Sequence, residues 1–167
     1  MDEELSTLSA TVGQALTDSK LVLACAESCT GGWISEVVTA TAGSSAWFDR
    51  GFVTYSNAAK QTMLDVGAET LNTHGAVSEE SALAMVQGAL AHSVAQVALA
   101  VTGIAGPGGG SPGKPLGTVC FAWCRVGQAA CTNTRHFFGD REAIRRQTVI
   151  HSLRGLLALL DGAKTVP

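Results

Sequence analysis

Two short apolar segments constrain the fold of this chain more than any other feature. Residues 21–26 (LVLACA) and 97–102 (VALAVT) are apolar almost throughout, which is typical of strands that are buried on both faces of a sheet. Patterns with apolar residues three and four positions apart predict helices around them, at residues 4–19, 33–38, 57–64, 78–93 and 140–160. Helices that alternate with buried strands predict a sheet covered by helices on both faces.

A β-hairpin near the C-terminus is predicted to make this sheet mixed rather than all parallel. Three further segments have strand patterns, at residues 51–56, 118–125 and 132–138. The last two are separated by a turn at Gly127 and form the hairpin. We therefore predict an α/β fold, a three-layer α/β/α sandwich with a mixed sheet that includes this hairpin. Residues 1–167 suit one domain, with an ordered core at about 4–161.

Details of the helix boundaries follow from capping residues. Residues 65–77 are predicted to be irregular, with a turn at His74-Gly75. Three helices have predicted N-caps, which are Asn57, Ser78 and Asp140.

Charge and hydropathy exclude two classes of partner. The net charge is −3 and the basic residues form no stripe, so we predict no binding to nucleic acid. The acidic N-terminus is unlike a signal peptide, and no apolar run reaches about 18 residues, so we predict a cytoplasmic protein without membrane contact. Charged residues make up only 15% of the chain. This is compatible with a surface rich in small polar residues, but we favour a homo-oligomer, and a dimer in particular.

Cysteine usage argues against a metal site. The spacings Cys25–Cys29 and Cys120–Cys124 are not C-x-x-C, and the four histidines are dispersed. We predict free thiols and no bound metal. Cys120 and Cys124 are expected to lie on one face of a strand, as small apolar residues.

The segment 26–32 (AESCTGG) is the strongest candidate for chemistry. It runs from a buried strand into a helix, where unpaired backbone N–H groups and the helix dipole can hold a phosphate or an oxyanion. Gly31 and Gly32 would let a ligand approach the backbone. The alternative is an ordinary helix cap around Ser28.

Two other predicted strand ends carry polar or glycine-rich segments. Tyr55 and Lys60 follow one of them, with Lys60 at position N3 if Asn57 is the cap. There the dipole and desolvation would lower the pKa of the amine, as suits a general base, although a solvated surface lysine is the alternative. The other is the loop 103–115, which holds six glycines and three prolines. We predict that the three strand ends converge on one pocket.

Of three further patterns, two are rejected as nucleotide-binding motifs and the third has two possible interpretations. Residues 108–114 match part of a P-loop, but Pro115 stands where Ser or Thr is needed and a strand follows. A G-x-G-x-x-G match in the same loop also lacks its helix. Arg141 and Arg145 lie four apart on one helix face, where they could clamp a phosphate or form surface ion pairs with neighbouring acids.

Together these segments resemble the CinA C-terminal domain family, the nicotinamide-nucleotide amidases. The matching pieces are AESCTGG (26–32), GSSAWF (43–48), GFVTYSN (51–57) with Lys60, GAVS (75–78), TGIAGP (102–107), KPxGT (114–118) and FGDR (138–141). They extend over about residues 5–160. Thr102 departs from the Ser expected in many members. Some members carry a second, N-terminal domain, which we do not expect here.

The resemblance implies hydrolysis of nicotinamide mononucleotide to nicotinate mononucleotide and ammonia, in pyridine-nucleotide recycling, without metal or other cofactor. Ser28 would be the nucleophile, Lys60 its base and Tyr55 a hydroxyl that relays or orients the proton. We hypothesise that the amides of residues 29–32 hold the oxyanion, that the 103–106 loop shapes the pocket, and that Arg141 or Arg145 of this subunit or a neighbour meets the phosphate. The candidate substrate-binding residues are Cys29, Thr30, Gly31, Gly32, Thr102, Gly103, Gly106, Arg141 and Arg145.

Three other interpretations stay open on the sequence. Cys29 lies beside Ser28 at the same helix start and could be the nucleophile instead. The same glycines and helix ends could serve a nucleotide-binding module that does no catalysis. A purely structural partner domain fits poorly, because so many polar motifs lie at strand ends.

Overall fold

The computed structural model describes residues 1–163 and contains a five-stranded sheet in the order β2-β1-β3-β4-β5. The strands are β1 Leu23–Glu27, β2 Phe48–Val53, β3 Val97–Gly103, β4 Thr118–Arg125 and β5 Cys131–His136. The helices are α1 Glu3–Ser19, α2 Trp33–Thr39, α3 Asn57–Leu64, α4 Ala68–His74, α5 Glu79–Ala91 and α6 Arg141–Leu160, with a 3-10 turn at Ser44–Ala46.

The pairing of the strands confirms the predicted mixed sheet. Strand β1 pairs in parallel with both β2 and β3, whereas β4 is antiparallel to β3 and to β5. The β4–β5 hairpin is therefore present as predicted. Because β1 lies between two parallel neighbours, its carboxyl end opens into the crevice where ligands bind in open α/β sheets.

Helices cover both faces of the sheet, as the two apolar runs predicted. On one face, Leu23 and Leu99 pack among large side chains of α1, α2 and α6. On the other face, Ala24 and Ala98 meet α3, α4 and α5. A strand alternates its side chains between the two faces of the sheet, so these alanines share the face towards α5. Because alanine is small, α5 can lie close to the sheet.

Several boundaries differ from the prediction for local reasons. The N-cap of α3 is Ser56 and not Asn57, because the hydroxyl of Ser56 accepts from the Ala59 amide at 3.0 Å. Strand β2 therefore ends at Val53 instead of continuing to residue 56. Helix α4 forms inside the segment expected to be irregular. It has seven residues and buries only Leu71, too few for a periodic pattern. The turn at Gly75 and the caps Ser78 and Asp140 are confirmed.

Other predictions concern thiols and membranes. No two cysteines of residues 1–163 are joined by a disulfide. Cys120 and Cys124 share the core on the α5 side of the sheet, as expected. Within residues 1–163, no group of three or more His, Cys, Asp or Glu side chains is arranged to hold a metal ion. No helix in the same range has the length and apolar character to cross a bilayer.

Candidate active site

Ser28 and Lys60 are in direct contact at the carboxyl edge of the sheet. Nζ of Lys60 is hydrogen-bonded to Oγ of Ser28 at 3.0 Å and donates to the carbonyl oxygen of Thr54 at 2.9 Å. The two side chains are 32 positions apart in the sequence. They meet because β1 and β2 are parallel neighbours, so the residues that follow each strand lie at the same edge.

Burial makes this lysine unlike a surface lysine. Only 1% of Lys60 is exposed, which excludes the solvated alternative. Since Ser56 is the cap, Lys60 lies at N4 rather than at the predicted N3, still in the first turn of α3. Desolvation lowers the pKa of its amine. A lowered pKa raises the share of neutral amine that can accept the proton of Ser28.

Glu27 occupies the helix start that the sequence assigned to a bound anion. Its fully buried carboxylate accepts five hydrogen bonds. Oε2 accepts from Thr30 Oγ1 at 2.6 Å and from the amides of Gly32 and Ile34 at 3.1 and 3.0 Å. Oε1 accepts from the amide and the hydroxyl of Ser35 at 2.8 and 2.7 Å. The N-terminus of α2 is thus neutralised by the protein itself.

This arrangement corrects the hypothesis that all four amides of residues 29–32 hold an oxyanion. The amide of Gly32 donates to Glu27, and the amide of Gly31 donates to the carbonyl of Ser28 at 3.1 Å. The amides of Cys29 and Thr30 donate to no other residue in the described part of the chain. Of these two residues only Cys29 lines the cavity beside Ser28, because Thr30 is fully buried. The amide of Cys29 is therefore the backbone donor that remains for a ligand.

A cavity of about 210 Å³ brings the three strand ends together, as predicted. Seven of the predicted site residues line it, namely Ser28, Cys29, Tyr55, Lys60, Thr102, Gly103 and Arg141. Ala105 belongs to the 103–106 loop that was predicted to shape the pocket. The sequence analysis did not assign the other lining residues to the pocket, namely Asn57, Ala76 and Val77. Ligand pockets usually measure about 300–1,000 Å³, so a nucleotide must extend beyond this cavity.

An adjoining cleft of about 510 Å³ provides that space. Arg141 lines both the cavity and the cleft, and the other walls include Gly31, Gly32 and Arg145. The guanidinium of Arg145 lies 5.3 Å from the ring centre of Trp33, a cation–π contact. The cleft is therefore bordered by two cations on α6, the helix face predicted to carry them.

Arg145 and Arg141 make different contacts. Arg145 donates to the backbone carbonyls of Cys29 and Thr30 at 3.1 and 2.8 Å, so it braces the Ser28 turn. Arg141 donates to the carbonyl of Gly106 at 2.6 Å and to the hydroxyl of Tyr55 at 2.9 Å. Neither arginine forms an ion pair within residues 1–163, contrary to the surface-pairing alternative.

The remaining predicted residues lie in varied positions. Tyr55 is 59% exposed, and in the described structure its hydroxyl has no hydrogen bond to Ser28 or Lys60, as a direct proton relay would require. Thr102 donates its hydroxyl to the carbonyl of Ala76 at 2.8 Å. Thr30 is buried against Glu27, outside the cavity lining.

Glu27 is the principal residue to which the sequence analysis assigned no role. The available signal was an acidic residue at the end of an apolar strand, a few residues before a helix start, where the dipole favours negative charge. That signal does not say which amides the carboxylate reaches. The contacts depend on how the turn folds back over the side chain.

Comparison with known proteins places this geometry in context. The CinA C-terminal domain family model matches residues 5–160. Nicotinamide-nucleotide amidohydrolase PncC of Escherichia coli strain K12 is 52% identical over 155 residues, 93% of this chain and 94% of that protein. The protein of the same name from Pseudomonas putida is 51% identical over 157 residues, 94% of this chain and 98% of that protein. The solved competence/damage inducible protein CihA of Agrobacterium tumefaciens has a TM-score of 0.91 and 46% identity, covering 96% of this chain and 98% of that one.

Proposed function

Because the chain belongs to the CinA C-terminal domain family, we propose that it is an amidohydrolase that converts nicotinamide mononucleotide to nicotinate mononucleotide and ammonia. The relatives named nicotinamide-nucleotide amidohydrolases match nearly its whole length, which supports this substrate. The observation that carries the proposal is the buried contact of 3.0 Å between Lys60 Nζ and Ser28 Oγ. A serine paired with a neutral amine is a nucleophile with its own base.

In the first half of the proposed reaction, Ser28 Oγ attacks the carboxamide carbon while its proton passes to Lys60 Nζ. The negative charge that develops on the carboxamide oxygen is held by the amide of Cys29, which lines the cavity beside Ser28 and donates to no other residue in the described part of the chain. The carbon–nitrogen bond then breaks, and Lys60 returns its proton to the leaving nitrogen, which departs as ammonia. An ester of nicotinate with Ser28 remains.

In the second half, water attacks the ester carbon and gives a proton to Lys60. The bond from carbon to Ser28 Oγ breaks, and Lys60 returns the proton to that oxygen. Nicotinate mononucleotide leaves as the acid, which loses its remaining proton to solvent and becomes the carboxylate. Water is the only co-reactant that this sequence of bonds requires, so no metal or redox group takes part in the proposal.

The cavity and the cleft suit two parts of the substrate. The 210 Å³ cavity is sized for the pyridine carboxamide, whereas the ribose and phosphate extend into the cleft. We assign the phosphate to Arg141, which lines both spaces, while Arg145 stays with the backbone of the turn. Tyr55 is assigned to substrate orientation at the rim, since Arg141 holds its hydroxyl.

An ammonia-release assay tests the proposed function. Nicotinamide mononucleotide, free nicotinamide and the nicotinamide dinucleotide are compared as substrates at equal concentration. We expect rapid ammonia release from the mononucleotide and little from nicotinamide, which lacks the phosphate. Binding of the mononucleotide without any ammonia release would instead support a nucleotide-binding module that does no catalysis.

The pH dependence of kcat should report on Lys60. The amine acts as a base only when neutral, so kcat should fall about tenfold per pH unit below its pKa in the complex. Because burial lowers that pKa from its ordinary value, the plateau should begin at a lower pH than a solvent-exposed lysine would give. Rates are measured in overlapping buffers of constant ionic strength. A rate that stays flat from about pH 5 to 9 would contradict a lysine base.

Cys29 should be dispensable as a nucleophile. Only 5% of the residue is exposed, and burial together with the nearby charge of Glu27 raises the pKa of its thiol to about 12. The thiol therefore stays protonated at neutral pH, and the thiolate is the reactive form. We expect Cys29→Ala to retain kcat within about tenfold, whereas Ser28→Ala abolishes ammonia release. Loss of all activity in Cys29→Ala alone would reverse the assignment.

We also propose that residues 1–167 act as one domain, in the cytoplasm, as a homodimer that serves pyridine-nucleotide recycling. An apolar side chain at the surface supports assembly, since Phe138 is 84% exposed. Light scattering in solution should give about twice the chain mass of 17.1 kDa. A mass equal to one chain at micromolar concentration would contradict the dimer.

A further inference from the structure

We propose that Glu27 is a positioning residue for the Ser28 turn: its carboxylate fixes the turn and leaves the amide of Cys29 as the donor for the reacting oxygen. This inference rests on the proposed function of the site. Glu27 does not line the cavity. It acts through the turn that carries Ser28 and Cys29, which do line it.

The contacts of Glu27 show why the turn has one geometry. Its two carboxylate oxygens accept from the hydroxyl of Thr30 and from both donors of Ser35, in addition to the amides of Gly32 and Ile34. Hydrogen bonds to a charged acceptor are about twice as strong as neutral ones. A fully buried carboxylate is tolerated only when its oxygens are satisfied in this way. The side chain thereby ties the end of β1 to the first residues of α2.

The negative charge of Glu27 is compensated by the helix rather than by a cation. No lysine or arginine pairs with it anywhere in residues 1–163. The amides at the start of α2 supply the partial positive charge instead. With Glu27 in place, those amides cannot bind the phosphate or the oxyanion of a substrate.

Two peptide planes at Ser28 are held from their carbonyl sides. The carbonyl of Ser28 accepts from the Gly31 amide at 3.1 Å, and the carbonyl of Cys29 accepts from Arg145 at 3.1 Å. In a trans peptide the C=O and the following N–H point in opposite directions. The N–H groups of Cys29 and Thr30 are therefore directed away from these partners. Glu27 completes the arrangement by holding the side chain of Thr30.

The test is Glu27→Gln, which keeps the shape of the side chain but replaces one acceptor oxygen with an NH2 group. That group must face N–H or O–H donors of the turn, so the turn shifts. Because a small misplacement of reacting groups or the loss of one oxyanion donor costs about 10²-fold or more, we expect kcat to fall about 100-fold. KM should stay within about threefold, and the pH midpoint of kcat should not move, since Lys60 keeps its surroundings.

A second pair of variants keeps the inference testable if Glu27→Gln does not fold. Thr30→Ser retains the hydroxyl that donates to Glu27 and should keep kcat within about threefold, whereas Thr30→Val removes it and should lose about tenfold or more. The matched control is Asp2→Ala. It removes a carboxylate that caps α1 through the amide of Leu5 and pairs with Arg146, and that contacts neither Glu27 nor Ser28. It should lower Tm without changing kcat per folded molecule.

A fluorophosphonate probe separates this inference from the proposed function. The probe reacts when Ser28 Oγ bonds to phosphorus and fluoride leaves, so its labelling rate measures the nucleophile whatever the natural substrate is. Wild-type protein that is labelled but releases no ammonia would refute the substrate only. Slow labelling of Glu27→Gln and Thr30→Val, with Asp2→Ala at the wild-type rate, would support the positioning role. The positioning role would be overturned if Glu27→Gln and Thr30→Val both had the labelling rate and the kcat per folded molecule of the wild-type protein.

Discussion

Replacing Lys60 with methionine is expected to lower kcat for ammonia release about 10⁴-fold, because a positioned base contributes about 10²–10⁴-fold and Ser28 has no other one. Methionine fills a similar volume in the buried site, so the fold should survive. The amine does not have to bind the substrate, and KM should stay within about threefold. Residual ammonia release is measured with the mononucleotide at saturation.

Two companion variants make this result specific. Lys20→Met removes an exposed lysine at the end of α1 and should leave kcat unchanged. The double variant Ser28→Ala/Lys60→Met should be no slower than the worse single variant, because residues that act as a unit are strongly non-additive. Activity of Lys60→Met within about tenfold of wild type would rule out Lys60 as the base.

The Gly88→Ala variant should be clearly less stable than the wild type, with Tm lower by about 4–8 °C. A Cβ at this position would lie 2.1 Å from the carbonyl oxygen of Leu64, a backbone atom at the end of α3. Overpacking of this kind costs about 1–3 kcal/mol, and severe contact with backbone belongs at the upper end. The better helix propensity of alanine returns only about 1 kcal/mol.

Gly108→Ala is the matched control for this prediction. A Cβ there meets no atom within 4 Å, and the residue does not have a positive φ. Its Tm should stay within about 1 °C of wild type, since surface changes are usually within ±0.5 kcal/mol. Scanning calorimetry of the three proteins at one concentration gives the comparison. An unchanged Tm in Gly88→Ala would mean that α3 and α5 can move apart without cost.

The layers of the fold were predictable because a short stretch of sequence is enough to show a buried strand or the period of a helix. The apolar runs around Leu23 and Leu99 predicted β1 and β3, and the turn at Gly127 predicted the hairpin. Helix α4 was missed because one buried side chain, Leu71, makes no period. The end of β2 was misplaced because the hydroxyl of Ser56 competes with the strand for the start of α3.

The candidate site was predictable only as far as topology determines it. The contact between Ser28 and Lys60 follows from two parallel strands that end at one edge. The part played by Glu27 does not, because its donors depend on the three-dimensional path of the turn. Likewise, Arg145 reaches carbonyls 115 and 116 positions away, which no local pattern reports.

The parallel pairing of β1 and β2 has a consequence for how such a protein could acquire new substrates. Both members of the Ser28–Lys60 pair come from one continuous stretch, residues 23–60, whereas Arg141 and the loop 103–115 come from later in the chain. Apart from Arg145, which braces the Ser28 turn from α6, reactivity and recognition are thus encoded in separable segments. Libraries that vary the later segments but keep Arg145 should explore other primary amides while the reactive pair is inherited intact.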